Sequence, residues 1–187
     1  RHVTGMELEE YVRTRLALPL GWGRWGYGYR SARLQHTPGG GGIALRPTDM
    51  LRFVYLLLRD GRWGERQLVP AEYVRHCRRR SPYNPHFPYS LQFDVNTAGD
   101  YPELPRDAFW KIGSGLHVFY GVPSLDLAVW KMGGRDGQYA EADTGLPVLP
   151  EAAAAAEPRE GWAPAVDDDT AVRGTLQRVV GAVMRDA

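Results

Sequence analysis

The sequence contains a single cysteine, Cys77, among 187 residues. One cysteine excludes a disulfide within the chain and excludes a cysteine-rich metal site. The sequence also lacks any apolar run close to the roughly 20 residues that a transmembrane helix needs, so we expect no membrane span. The formal net charge is only +1. No overall electrostatic field therefore indicates a protein that binds nucleic acid or a membrane surface.

The composition that remains is that of an ordinary globular protein, with 43% hydrophobic and 24% charged residues. A chain of this length suits one domain or one large piece of a domain. The sequence begins at Arg1, has no leader peptide and enters a helical pattern almost at once. We therefore expect the chain to be part of a longer protein.

Four segments have the apolar spacing of helices. The first is expected from Gly5 to Ala17, ending before Pro19. The second lies in "RPTDMLRFVYLLLRDG", where Pro47 suits the first helical position and Asp49 suits the positive N-terminal end. The third is short and begins after Pro70. The fourth, in "DDDTAVRGTLQRVVGAVMRD", has an apolar stripe that fits a helix docked on a sheet.

Several arginines cluster at the end of the third helix. They could indicate a phosphate contact, but arginines at a helix C-terminus are more often exposed to solvent, where they favour the helix dipole. We therefore expect no nucleic-acid partner. The cluster consists of Arg75, Arg78, Arg79 and Arg80.

From Tyr89 the apolar period changes from helical to alternating. The stretch "YSLQFDVN" alternates polar and apolar residues, and "DAFWKIG", "HVFYGVP" and "LDLAVWKMGG" follow it. Short runs rich in Val, Phe, Tyr and Trp, broken at Gly and Pro-Ser, are typical of consecutive antiparallel strands. After them comes "EAAAAAEPREGWAP", which we interpret as a low-complexity surface insert at about residues 150–166. The order of helices, strand meander and terminal helix predicts an α+β fold with an antiparallel sheet flanked by helices.

The strand pattern places one charged residue, Lys111, inside a predicted strand, where it is a candidate functional residue. Phe109, Lys111 and Gly113 are expected to share one face of the strand, with Ile112 on the other. A lysine on a strand is usually solvated or protects an edge. Gly113 and Gly115 favour a second interpretation, because glycine within a strand often marks the close approach of another backbone or a ligand. The exposed N–H groups of such a strand could also stabilise an oxyanion.

Taken together, these features resemble those of the serine β-lactamase and penicillin-binding-protein-like family, especially its β-lactamase-related esterase and hydrolase branch. The stretches "TGMELEEYVRTRLALPLGW", "GGGGIALRPTDMLRFVYLLLRDGRWGERQLVPAEYV", "KIGSG" and "HVFYGVPSLDLAVWKMGG" carry the resemblance by their order and spacing. It covers about residues 4–134 and the last helix. The resemblance implies a β-lactamase/transpeptidase-like fold, incomplete at its N-terminus, in which residues 1–187 are the C-terminal part of one domain.

The resemblance also implies acyl-enzyme chemistry, in which a serine attacks a carbonyl group. Lys111 takes the place of the third-motif lysine, which supplies positive potential, and the N–H of Ser114 takes that of an oxyanion donor. Ile112, Gly113, Gly115 and His117 are expected to adjoin the substrate. His117 could carry a proton or could simply begin a strand with one polar contact. We expect no cofactor, and the scattered histidines predict no metal.

Two departures from the family qualify this expectation. The sequence contains no Ser-x-x-Lys or Tyr-x-Asn motif, so the nucleophile and base are expected upstream and the fragment alone is expected to be inactive. Ile112 stands where penicillin-recognising members have a hydroxyl residue that contacts the substrate carboxylate, and isoleucine cannot make that hydrogen bond. This favours a carboxyl ester or a related small acyl substrate.

Two alternatives stay open from the sequence. The protein could be a true β-lactamase or D-alanyl-D-alanine carboxypeptidase, or it could be a catalytically inactive relative that only binds. Members of the family are often exported, into the periplasm or out of the cell, but the sequence assigns neither a compartment, an oligomeric state nor a natural substrate.

Overall fold

The computed structural model describes residues 1–27, 36, 37, 39, 42–84, 87–113, 117–132 and 168–185, and the statements below refer to these. The insert expected at 150–166 lies outside them. A four-stranded antiparallel sheet forms the centre, in the order β5-β6-β7-β8. Its strands are β5 (Asp94–Val95), β6 (Phe109–Ile112), β7 (Val118–Val122) and β8 (Leu127–Lys131).

Helices and two small hairpins make up the rest of the described chain. The helices are α1 (Leu8–Val12), a π-helical segment (Arg13–Ala17), α2 (Leu18–Leu20), α3 (Pro47–Leu58), α4 (Ala71–Cys77), a 3-10 turn (Pro123–Leu125) and α5 (Asp168–Arg185). The hairpins pair β1 (Gly26–Tyr27) with β2 (Ile43–Ala44) and β3 (Arg62–Trp63) with β4 (Arg66–Gln67). The described chain is therefore α+β, as predicted. None of its helices has the length and apolarity that crossing a membrane requires.

The sheet separates two apolar layers because alternate residues of each strand point to opposite faces. Phe109 of β6 and Phe119 of β7 lie on one face, where they pack with Val54 and Leu57 of α3. Trp110 and the other residues of the opposite face pack against α5. The buried members of that second layer are Leu104, Ala108, Trp110, Val118, Tyr120, Val122, Val172, Leu176 and Val180. The helix predicted to dock on the sheet therefore does so, and both faces of the sheet are covered.

The N-terminal helical segment differs from its prediction at both ends. It begins at Leu8, with Glu7 in the N-cap position but without a side-chain capping hydrogen bond, and continues through the π-helical segment to Leu20. Pro19 lies within α2 and does not end the segment, which continues for one more residue to Leu20. Gly21 then ends the segment in the left-handed conformation, with φ of 63°.

Helix α3 has the predicted start at Pro47, but Asp49 does more than favour the helix dipole. Its side chain is only 1% exposed. One oxygen, Oδ2, accepts a hydrogen bond from the Gly23 N–H at 3.0 Å, and the other, Oδ1, accepts one from Arg52 Nη1 at 2.9 Å. Arg46 Nε lies 3.4 Å from Oδ2. The carboxylate therefore ties the loop after α2 to the start of α3.

The stretch "YSLQFDVN" does not form the long alternating strand that was predicted. Only Asp94–Val95 is strand, with an isolated bridge between Tyr89 and Asp94. Leu91 is 42% exposed, whereas Asn96 is fully buried. The Asn96 side-chain amide donates to the carbonyl oxygens of Tyr101, Leu104 and Pro105 at 2.9 to 3.2 Å. These tertiary hydrogen bonds outweigh the alternating pattern, because they satisfy backbone acceptors that burial would otherwise leave unpaired.

Candidate functional site

Lys111 occupies the third position of β6, directly opposite Phe119 of β7. Paired residues of an antiparallel sheet point to the same face, so Lys111 shares its face with Phe119 and with Trp130 of β8. This is the face that α3 covers, and α5 packs on the other one. The Lys111 side chain is half-buried there. The strand pattern had predicted this assignment of faces.

Tyr89 is the polar partner of Lys111, and the sequence did not single it out. Lys111 Nζ donates a hydrogen bond to Tyr89 Oη at 2.9 Å. The same nitrogen is 5.3 Å from the Tyr89 ring centroid, so the ammonium lies at the hydroxyl end of the ring and not over its face. The hydroxyl can still donate its own hydrogen to another acceptor. The two residues are 22 positions apart, a separation that carries no periodic signal.

The partner of Lys111 is thus neutral. Within the described ranges no aspartate or glutamate forms an ion pair with Lys111. A tyrosine hydroxyl fixes the position of an ammonium group but leaves its charge uncompensated. An uncompensated, half-buried cation can attract an anionic group or stabilise negative charge that develops beside it.

Gly113 and His117 close the β6–β7 connection at the Lys111 end of the sheet. The Gly113 N–H donates to the His117 carbonyl oxygen at 2.7 Å. A Cβ added at Gly113 would meet that oxygen at 3.5 Å, an ordinary van der Waals contact, and Gly113 is exposed. No neighbour in the described chain therefore requires a glycine here by close packing. Ser114 and Gly115, the predicted oxyanion donor and second glycine, lie outside the described residues.

The other two predicted site residues are Ile112, which points to the opposite face of the sheet, and His117, whose ring packs on a tryptophan. Ile112 is paired with Val118, on the face that α5 covers, and its side chain packs against that core layer. The structure therefore does not bring Ile112 to the Lys111 face. The His117 ring stacks on Trp130 with a centroid distance of 5.8 Å and an interplanar angle of 10°. The half-buried imidazole therefore lies against Trp130, on the same face of the sheet as Lys111 and Phe119.

Among the described residues, no three side chains of His, Cys, Asp or Glu are grouped so that they could hold a metal ion. Of the described residues on the Lys111 face, this end of the sheet presents the Lys111 ammonium, the Tyr89 hydroxyl and the His117 imidazole, beside the exposed Gly113.

Comparison with known proteins gives a fold but no family. The sequence matches no protein-family model and has no significant match among curated proteins. Nine chains of solved structures match it. One is the crystal structure of "putative beta-lactamase from Bacteroides dorei DSM 17855", with a TM-score of 0.51 and 18% sequence identity. The match covers 70% of this chain and 46% of that one, so the chain spans a little under half of its neighbour's length.

At this identity, the similarity concerns the fold. The chain shares with its neighbour an arrangement of helices around an antiparallel sheet, which agrees with the predicted α+β class.

Proposed function

We propose that residues 1–187 form the C-terminal part of a β-lactamase-related serine hydrolase domain that acts on carboxyl esters or related small acyl substrates. The observation that carries this proposal is the position of Lys111. It is a half-buried cation with a neutral hydrogen-bond partner, two residues before an exposed glycine, on the sheet face opposite α5. The similar fold of the Bacteroides dorei structure described as a putative beta-lactamase supports the same proposal.

In this proposal Lys111 supplies positive potential where the carbonyl oxygen of the substrate becomes negative. At an effective dielectric constant of 20, two unit charges about 4 Å apart attract by about 4 kcal/mol, which is enough to matter for a reaction barrier. Tyr89 would hold the ammonium in place. The N–H of Ser114 would donate to the same oxygen, a role that rests on the family resemblance alone.

The nucleophile has to come from outside these 187 residues, because they contain no Ser-x-x-Lys motif. The serine oxygen would add to the ester carbonyl, and collapse of the tetrahedral intermediate would release the alcohol and leave an acyl-serine. Water would then add to the acyl group and release the acid and the free serine. Ile112 packs in the core on the α5 face and has no hydroxyl to bind a substrate carboxylate, so the preference for esters rests on the family resemblance.

The test compares two substrates on the full-length protein that contains this chain: a nitrophenyl ester and a chromogenic cephalosporin. We expect faster turnover of the ester. Lys111→Ala should lower kcat/KM for the ester about a hundredfold, the usual cost of losing one group that stabilises an oxyanion. Tyr89→Phe should have a smaller effect in the same direction, because it removes the partner but keeps the charge.

Lys131→Ala is the matched control. Lys131 is paired with Val118, so it lies in the same sheet but on the opposite face. Its removal changes the net charge equally and should alter ester turnover by less than about twofold, because solvent screens a distant charge. Equal turnover by the wild-type protein and Lys111→Ala, with both folded by circular dichroism, contradicts the proposed role of Lys111.

A second candidate, a relative that binds without catalysis, is favoured by the same missing Ser-x-x-Lys motif. The upstream sequence of the full-length protein separates the two. A Ser-x-x-Lys followed by a Tyr-x-Asn supports the hydrolase. Their absence, together with no turnover of either substrate, supports the binding protein.

A further inference from the structure

A cleft of about 360 Å³ lies at the end of the sheet remote from Gly113. Asp107 precedes β6 and Pro123 follows β7, and both line the cleft, whereas Lys111 and Gly113 lie toward the other end of β6. The cleft is therefore separate from the candidate site described above. The lining residues are Arg75, Arg78, Arg79, Thr97, Arg106, Asp107 and Pro123.

The charge of the cleft is strongly one-sided. Four guanidinium groups line it, and two carboxylates oppose them, which leaves an excess of two positive charges. One carboxylate, Asp60, is shared by Arg75, at 3.1 Å, and by Arg78. The other, Asp107, accepts hydrogen bonds from the N–H and hydroxyl of Ser124 at 2.5 and 2.9 Å. Asp60 is thus paired with Arg75 and Arg78, whereas Asp107 keeps its charge but forms no ion pair with an arginine among the described residues.

Two of the arginines have no acidic partner in the described part of the chain. Arg79 lies just after α4, and Arg106 is in the connection between β5 and β6, where its Nη1 donates to the Ala98 carbonyl oxygen at 3.3 Å. Their guanidinium groups come to one cleft from different elements. Several planar forks that converge in this way suit an oxyanion with three or more acceptor oxygens better than a single carboxylate.

Arg78 supplies an independent observation. Its side chain is only 15% exposed, and it lies against the Phe109 ring, 5.9 Å from the centroid. Its Nη2 pairs with Asp60, but its Nη1 is buried and has no hydrogen-bond partner. Buried polar groups without a partner are uncommon in folded proteins. Because this Nη1 has no accessible surface, Arg78 is part of the fixed wall of the cleft, and the guanidinium groups of the exposed Arg79 and Arg106 are the ones that an anion can contact.

We propose that this cleft binds a small molecule that carries a phosphate or pyrophosphate group. Its volume is within the usual range of small-molecule pockets, which is about 300–1,000 Å³. The excess positive charge matches a dianionic group, and the guanidinium forks match its oxygens. The chain has a net charge of only +1, so the attraction is local to the cleft and does not come from the protein as a whole. The proposal does not depend on the hydrolase function.

Calorimetric titration of the purified protein with inorganic pyrophosphate tests the proposal, with inorganic phosphate and succinate as comparison ligands. We expect pyrophosphate to bind more tightly than phosphate and much more tightly than succinate, and its affinity to fall as sodium chloride is added. The double variant Arg79→Gln, Arg106→Gln should weaken pyrophosphate binding by at least about tenfold, because two charge-assisted contacts are lost. These arginines make no ion pairs in the described chain, so the variant should fold.

Arg66→Gln is the matched control, since it removes an exposed arginine from β4, which does not line the cleft. It should leave the pyrophosphate affinity unchanged. The proposal is overturned if pyrophosphate does not bind, if succinate binds equally well, or if both variants lose affinity to the same extent. It is also overturned if a single-stranded oligonucleotide binds more tightly than pyrophosphate with the same sensitivity to the double variant, which would assign the surface to nucleic acid.

Discussion

The pairing of β6 with β7 decides which face Lys111 occupies, and Gly121 provides a direct test of it. Gly121 lies opposite Phe109 in the ladder. A Cβ added at Gly121 would lie 2.3 Å from Phe109 Cζ and 2.5 Å from Cε1. The Phe109 ring is 1% exposed and packs edge-on against Phe93 at a centroid distance of 6.0 Å, so it has little room to move. A shift of register by one residue would remove this contact and would move Lys111 to the α5 face.

Gly121→Ala sets two effects against each other. Overpacking of a filled core usually costs about 1–3 kcal/mol. Replacing glycine by alanine where the backbone permits it gains about 0.4–1 kcal/mol, because the unfolded chain loses freedom. We therefore expect a net loss of about 1–2 kcal/mol in the free energy of unfolding. If an added Cβ at position 121 did not meet the Phe109 ring, Gly121→Ala should instead raise the free energy of unfolding.

Urea denaturation of four proteins measures the contact: the wild type, Gly121→Ala, Phe109→Leu and the double variant. In the Phe109→Leu background the ring is gone, so Gly121→Ala should be neutral or stabilising, and the coupling between the two changes should be about 1 kcal/mol or more. Gly174→Ala in α5 is the control. A Cβ there meets nothing within 4 Å, and helix propensity predicts a gain of about 1 kcal/mol. A stabilised Gly121→Ala in the wild-type background would refute the pairing.

Two further predictions concern buried polar groups. Asp49→Ala should lower the free energy of unfolding by about 1–3 kcal/mol, because the part-buried Gly23 N–H and two arginines lose the buried carboxylate that accepts from them. Glu65→Ala, which removes a side chain that is 97% exposed, should change it by less than about 0.5 kcal/mol. Burial raises the pKa of Tyr120 from 10.0 to about 12. Because the folded state holds this phenol neutral, its contribution to the free energy of unfolding should be complete below pH 10. That contribution should decline by about 2–3 kcal/mol as the pH rises to 12. Denaturation measured across this pH range should show that decline in the wild type and a smaller one in Tyr120→Phe. Equal declines in the two proteins would show that Tyr120 is not its cause.

Much of the sheet could be predicted because its signals are local. The strands β6, β7 and β8 are runs of aromatic and β-branched residues, and turn residues separate them. The Pro123–Leu125 turn ends at Asp126, which adopts the left-handed conformation that aspartate tolerates. Helix α3 likewise follows from Pro47 at its start and from Gly61 beyond its end, where φ is 81° and a Cβ would meet the Val69 carbonyl oxygen at 2.2 Å.

The parts that could not be predicted depend on contacts between distant residues. Asn96 looked like a solvent-facing member of an alternating strand, but its amide holds the loop from Tyr101 to Pro105 together. Asp49 looked like a residue that favours the helix dipole, but it anchors Gly23 across 26 positions. Tyr89 looked like an inward-facing apolar residue, but its hydroxyl is the partner of Lys111. No short-range period records such pairs, since they form only after the elements have packed.

The position of Lys111 follows from how α3 covers the sheet. Helix α3 packs mainly on β7 and β8, for example through Phe53 against Phe119 at a centroid distance of 6.0 Å. Lys111 is the neighbour of Phe119 on the same face, so it lies at the boundary of the covered area. A lysine beneath the helix would bury an unpaired charge at a cost of several kcal/mol, and a fully solvated lysine would have no fixed position. The observed position, half-buried beside the Tyr89 hydroxyl, keeps the charge and fixes its place. The oxyanion-stabilising role proposed for Lys111 needs this combination of charge and fixed position.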